Sequence, residues 1–478
     1  MAQKSVSHIK KEYPKNAEWL IHDNPHILFA ELARKQGPVV PLFGKRKLFA
    51  INGLETITEV LKEQANKLRR PTLEPLQTGR TIKIVEAKDG RPHEEQRRLM
   101  LKIINDFVMS RIPDIETHVR RAADFIIEEI ATGQPIDPDI PVGAGILSYT
   151  YRMNFGESLT KEAAIEMISG IGSLSFSKNG NGMRFQFFRE ELMPSDWFYP
   201  SFEEFNVFKQ NSGLFERNMK AFMGKIEEQI IEHKRSFDSN HLRDITDALI
   251  KANDEYKSEL PIDTRLDEED IILGSMVHLF GVTRGLLIVF TIHALHYMAV
   301  YQEIQSTIQK ELDEAMARGI QPGFSSRHEI PFTEACLWEI LRHASVAALA
   351  SFGYEAREDI MAAGRKLDKG AILLINYYST TRDERHWPDP ESFNPRRFLD
   401  AEGRVDRSRT DKFLPFGIGH HRCLGGPNWG YVNMMTLFPT LLARCRFERT
   451  LSTPDKLEQH PGPFLTPHNY ELIATRRP

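Results

Sequence analysis

Cysteine is scarce: the 478 residues contain three, Cys336, Cys423 and Cys445. So few cannot staple a fold of this size, which excludes a disulfide framework and favours a reducing or cytosol-facing compartment. Long apolar runs are missing too. The longest, Leu286 to Phe290 extended by Thr291 and Ile292, falls far short of the roughly 20 residues a membrane span needs. The opening MAQKSVSHIKKEYPKNAEWL does not read as a signal peptide. Charge of one sign is lacking as well: 62 Lys and Arg against 66 Asp and Glu give a net charge of −4. Nothing in that balance points to nucleic acid. No internal repeat, Gly/Ser linker or low-complexity tract divides the chain.

What is present suits one large globular unit. Hydrophobic residues make up 41% and aromatics 10%, with 29 Phe, which is material for apolar cavities as much as for a core. The reading is a tail over residues 1–25 and a single domain over 26–478. An amphipathic helix is expected around His26 to Lys35, then short strands in PVVPLFG and KLFAIN. From about residue 93 to 345, segments such as Ile115 to Ile130, Leu214 to Phe237 and Asp267 to Ala299 place apolar residues three and four apart. The stretch from Glu269 to Val300 is apolar on nearly every side and should cross the core. Beyond 345 the helical period fades into Gly- and Pro-rich loops, returning from about Asn428 to Ala443. The fold class is mainly α with minor β sheets.

The most informative stretch is Phe416-Gly-Ile-Gly-His-His-Arg-Cys423-Leu-Gly425. Gly417 and Gly419 permit positive φ and let the backbone approach a flat cofactor closely. Successive N–H groups in such a turn form a concave positive site for a thiolate. A helix starting near Gly425 would aim its positive end at the same sulfur. A buried structural cysteine is the bland alternative, and it suits Cys336 and Cys445.

This stretch resembles the heme-binding signature of the cytochrome P450 superfamily, Phe-x-x-Gly-x-x-x-Cys-x-Gly. Glu339-Ile-Leu-Arg342 and Phe393-Asn-Pro-Arg-Arg397-Phe398 agree with two further motifs of that family. The segments RDITDALI (243–250) and STTRDERHWPDPESFNPRRF look most like animal microsomal steroid and xenobiotic hydroxylases. The resemblance implies a triangular, helix-rich domain, with heme b buried between the long core helix and the Cys loop. It implies Cys423 as axial iron ligand, with Phe416 beside the cofactor, and a structural triad of Glu339, Arg342 and Arg397. Arg97 and His421 are the implied heme-propionate partners. His93, where the family usually has Trp, and Tyr354, where many relatives have His or Arg, are weaker ones. Location is then the cytosolic face of the endoplasmic reticulum membrane if an anchor was removed, and otherwise cytoplasmic.

The pattern breaks in the core helix. There the family carries an acid and an alcohol that relay protons to iron-bound oxygen. The ungapped register puts Val282 and Thr283 at the small positions, Arg284 next, Gly285 at the acid and Leu286 at the alcohol. Thr283 substitutes as the alcohol if the helix shifts locally; otherwise the chemistry does without the relay. Arg284 either snorkels outside the pocket or meets an anionic substrate group. Phe280, Val282, Leu286, Ala348, Ala350, Phe464 and Leu465 are read as lining a pocket for a bulky lipophilic molecule. Trp197, Phe198, Tyr199, Phe202 and Phe205 read as a roof over substrate, a peripheral membrane contact or plain packing.

Three functions remain open on sequence. The first is rearrangement or dehydration of a peroxide or other pre-oxidised lipophilic substrate (lipid, steroid or terpene-like), an isomerase-type chemistry. The second is an NADPH-dependent monooxygenase fed by a flavoprotein reductase docked on Arg98, Lys102, Arg382, Arg385 and Arg422. The third is a non-catalytic heme sensor or carrier.

Overall fold

A computed structural model describes residues 24–42, 47–71, 89–172, 224–259, 283–349, 353–460 and 465–478, with Ile272 and Ser275 between them. Helices dominate, and each follows from its apolar spacing. In Ile112–Ile130 the residues Ile115, Val119, Ala122, Ala123, Ile126, Ile127 and Ile130 are buried, one stripe at helical period, and Pro113 sits in the first turn, where its missing N–H is harmless. That stripe packs on two helices, Asp139–Phe155 and Tyr431–Arg444. The core helix, Thr283–Val300, touches Asp139–Phe155, Pro331–Ala344 and Tyr431–Arg444. From Val289 to Ala299 every residue on it is buried, as an all-round apolar helix requires.

The sheets are small. Val39–Leu42, Leu48–Asn52, Ile372–Asn376, Tyr354–Ala356 and Leu68–Arg69 form a five-stranded sheet in that order. Leu48–Asn52 runs parallel to Ile372–Asn376, and the other pairings are antiparallel. Leu48–Asn52 and Ile372–Asn376 are buried at all five positions, so neither shows the alternation of a half-exposed strand. A three-stranded sheet joins Pro135–Ile136, Leu472–Arg476 and Cys445–Arg449.

Two expectations need correction. The region after residue 345, read as loops, contains strands at Tyr354–Ala356, Ile360–Ala362, Arg365–Leu367 and Ile372–Asn376. Short apolar runs of this kind carry no period that separates strand from loop. Arg382, counted among the surface cations, is 6% exposed; its guanidinium donates to the carbonyls of Arg342 and His343 and to Glu391. Among the described residues no single helix is long and apolar enough to cross a membrane. Phe280, Val282, Ala350, Phe464 and the 197–205 aromatics lie outside the described residues, as do the side chains of Thr283 and Arg284.

Candidate functional site

Cys423 sits in a loop held by its own backbone. Gly417 and Gly419 adopt φ of +68° and +80°. The Cys423 N–H donates to the Phe416 carbonyl at 2.8 Å, and the Arg422 N–H donates to that of Gly419 at 3.1 Å. Gly419 passes so near the preceding chain that a Cβ there would lie 2.1 Å from the Leu61 carbonyl oxygen. Beyond the cysteine the chain winds as a π turn, Gly426–Gly430, into the helix Tyr431–Arg444. The Gly426 N–H donates to Cys423 Sγ at 3.2 Å, so a helix start faces the sulfur and favours its anionic form. A Cβ at Gly426 would meet Phe416 Cδ1 at 2.2 Å and the sulfur at 2.9 Å. All three cysteines are free. Burial pushes the Cys336 thiol up, and the Cys445 thiol to about 11; neither suits a thiolate ligand.

Behind the loop lies a charge network. Glu339 and Arg342 are both 0% exposed. Glu339 accepts from Arg342 Nε at 2.7 Å and Nη2 at 2.8 Å, and from Arg397 Nε at 3.1 Å. Three residues apart on Pro331–Ala344, the pair shares a helix face. Arg342 also donates to the carbonyls of Thr381 and Pro390, and Arg397 to that of Pro388. No polar valence of this buried group is wasted.

On the other side of the loop, basic and aromatic side chains converge. His93 and His421 lie ring against ring, centroids 4.1 Å apart. Tyr354 meets His421 at 5.8 Å, and Arg97 is half-buried one helical turn beyond His93. Burial, then the charges of His421 and Arg97, push His93 down to about 4, so it stays neutral near pH 7. His420, by contrast, is exposed. Two members were not foreseen. Arg70, 8% exposed, places its guanidinium 4.4 Å over the Tyr354 ring and donates to the Gly353 carbonyl at 2.8 Å. Asp89 accepts from His421 Nε2 at 3.3 Å and from the Arg70 backbone N–H. Neither residue stands in a spacing pattern; only the fold brings Arg70 against residue 354. The cluster fits an anionic edge of a flat cofactor, and the glycine cradle with its sulfur fits the metal.

Gly285 and Leu286 are half-buried near the described start of the core helix. A Cβ at Gly285 would have no described atom within 4 Å. Thr291, a hydroxyl further along this helix, donates to the Leu287 carbonyl at 2.7 Å. Ala348 and Leu465 are each 2% exposed, and the Leu465 N–H donates to the Val346 carbonyl at 2.7 Å, so their two segments lie side by side.

Known proteins are similar to this chain in sequence and in fold. The chain is 26% identical over 479 residues to a "Polybrominated aromatic compounds synthase" of Pseudoalteromonas luteoviolacea, covering 99% of this chain and 95% of that one. It is 28% identical to cytochrome P450 1A5 of Gallus gallus, over 89% of this chain and 81% of the other. A zebra fish cytochrome P450 solved with abiraterone superposes with a TM-score of 0.75 at 22% identity, covering 95% of this chain and all of that one. The model of the cytochrome P450 family matches residues 14–474. This chain therefore belongs to the cytochrome P450 family, heme enzymes whose iron takes an axial cysteine thiolate.

Proposed function

We propose that residues 26–478 form one catalytic domain in which Cys423 is the iron ligand. The observation that carries this is the Gly426 N–H directed at Cys423 Sγ inside a loop too tight for any Cβ at Gly419 or Gly426. Heme held there by a thiolate supplies the electron-rich iron that cleaves O–O bonds. Arg97 and His421, joined by His93, Tyr354 and Arg70, hold its carboxylates. Glu339, Arg342 and Arg397 keep the loop's support rigid. The test is the ferrous carbon monoxide spectrum: the band that names the family is expected from folded protein and absent from Cys423→Ala. Its persistence in that variant refutes the assignment.

The substrate proposed is a lipophilic small molecule with aromatic character, a class supported by the name of the full-length bacterial relative. The reaction proposed runs without an acid–alcohol pair on the core helix, because Gly285 and Leu286 stand at its two positions. The simplest such chemistry starts from a substrate that already holds an O–O bond and rearranges or dehydrates it. A reductase-fed monooxygenase is the second reading. It is favoured by likeness to the animal P450 and by the exposed Arg98, Lys102 and Arg422, any of which suits an acidic docking partner. A cytosol-facing place in the cell accords with both. Turnover of an organic hydroperoxide without reductase supports the first; turnover only with NADPH and reductase supports the second and overturns the first.

A further inference from the structure

A run of aromatic rings leads away from the Cys loop, and two of them, Trp338 and Tyr431, are oxidisable. Phe416 and Cys423 Sγ flank Gly426 on neighbouring sides. Trp338, on Pro331–Ala344, meets Phe416 edge-on at 6.3 Å between centroids. Tyr431, at the start of the helix after the cysteine, stacks on Trp338 at 5.1 Å with 25° between planes. Half-buried Phe324 packs edge-on against Tyr431 at 5.6 Å. Aromatic contact thus runs from Phe416, which faces Gly426 as the sulfur does, to Tyr431 and on to half-buried Phe324.

A carboxylate sits at the end of this stack. Glu334 is 2% exposed. It accepts hydrogen bonds from the Tyr431 hydroxyl and from Trp338 Nε1, the latter at 3.4 Å, and it pairs with Arg407. A buried carboxylate is costly to place without a purpose or full pairing. Here its hydrogen bond to a phenol provides a proton acceptor already in position. Burial and the Glu334 charge push the Tyr431 hydroxyl up, so the phenol rests protonated and donates. Arg407 lies 5.9 Å over the Trp338 ring and 5.4 Å over that of Tyr431. A cation there repels positive charge on Trp338. It penalises a neutral tyrosyl far less, because the phenol proton has left for Glu334.

We propose that Tyr431 donates one electron to the heme site by way of Trp338, with Glu334 taking the phenol proton, as an outlet for oxidising equivalents that no substrate consumes. Phe416 is the bridge the electron crosses and is not itself oxidised. The step balances. An organic peracid brings two oxidising equivalents to the heme site and leaves as its carboxylic acid. Tyr431 answers one equivalent with an electron and passes its proton to the Glu334 carboxylate, leaving a neutral tyrosyl radical and a carboxylic acid. The second equivalent stays at the heme site. The proposal rests on Cys423 being the iron ligand.

The test is freeze-quench electron paramagnetic resonance of the ferric holoprotein mixed with peracetic acid. The expected result is an organic radical whose hyperfine pattern narrows when the protein is made with ring-deuterated tyrosine. That signal is lost in Tyr431→Phe and is weaker and slower to appear in Trp338→Phe, each variant keeping its carbon monoxide band. An unchanged radical in Tyr431→Phe, or no tyrosyl signal in wild type that shows the band, overturns the relay alone. Absence of the band from wild type overturns the Cys423 assignment and the relay with it.

Discussion

Arg342 is cut off from bulk solvent. Its guanidinium is wholly buried and donates to Glu339 and to the carbonyls of Thr381 and Pro390. Arg342→Ala leaves Glu339 with only Arg397 and a backbone N–H, and breaking a buried pair in this way costs about 3–5 kcal/mol. The expected outcome is a fall in chemical-denaturation stability of that order, with little heme-loaded protein recovered; a loss under about 1 kcal/mol would mean the pair is dispensable. Gly426→Ala acts by contact instead of charge. The added methyl falls on Phe416 and the sulfur, and overpacking of this kind costs roughly 1–3 kcal/mol. The carbon monoxide band is expected to weaken or move, since the Gly426 N–H must shift from Sγ to make room. Both partners of the Glu339–Arg342 pair were legible three residues apart in the sequence. Arg70 was not, because its tie to Gly353 spans the chain.

The core helix and its neighbours bury imidazoles without charging them. Desolvation pushes His293 and His296 down to about 4. It does the same to His343, helped by Arg382, to about 3. His293 Nδ1–H donates to the Val289 carbonyl and Nε2 accepts from Gln459; His343 accepts from the Tyr297 hydroxyl and donates to the Glu391 carbonyl. His293 and His343 are thus satisfied as neutral rings, while His296 bonds the Pro454 carbonyl through Nε2 alone among the described residues. The unfolded chain takes protons on these histidines near pH 6.5 and the folded chain does not. Stability is therefore full above about pH 6.5 and declines as pH falls toward 4, by at most about 1.4 kcal/mol per pKa unit for each ring. Thermal melts across that window are expected to show the decline, and His293→Asn to flatten part of it. Gly285 belongs to the same element. No described atom lies within 4 Å of a Cβ there, so Gly285→Ala should stabilise by about 0.5–1 kcal/mol through helix propensity. A destabilised variant would place the core helix against something else at that point.

For the whole molecule, the site is assembled from distant segments. His93 stands on Gly90–Lys102, Tyr354 in the five-stranded sheet, His421 in the Cys loop and Glu339 on Pro331–Ala344. On the assignment proposed above, heme beside His93, Tyr354 and His421 would tie these parts together, and any group bound only by the folded state raises stability by mass action. Heme-free protein is expected to melt well below the loaded form, by an amount consistent with about 4 kcal/mol at a thousandfold excess over Kd. Equal melting temperatures would show that the segments hold together without it. Elsewhere His233 links the 224–235 helix to Asp244 at 2.8 Å. Burial opposes its charge, but the Asp244 carboxylate prevails and raises its value. That contribution is present below pH 6.5 and lost as pH rises through the folded value, opposite in sign to the core-helix histidines.

Some of this was settled by local chemistry. The glycines around Cys423, the three-residue spacing of Glu339 and Arg342, and the apolar stripe of Ile112–Ile130 each act over a few residues, so their pattern survives in one dimension. Strands such as Ile372–Asn376 were not legible, since a run buried on both faces has no period, and its partner Leu48–Asn52 lies over 300 positions away. The burial of Arg382, the Arg70–Tyr354 contact and the stacking of Trp338 on Tyr431 were decided only when the chain closed. Such contacts depend on which surfaces meet, and no local pattern encodes that.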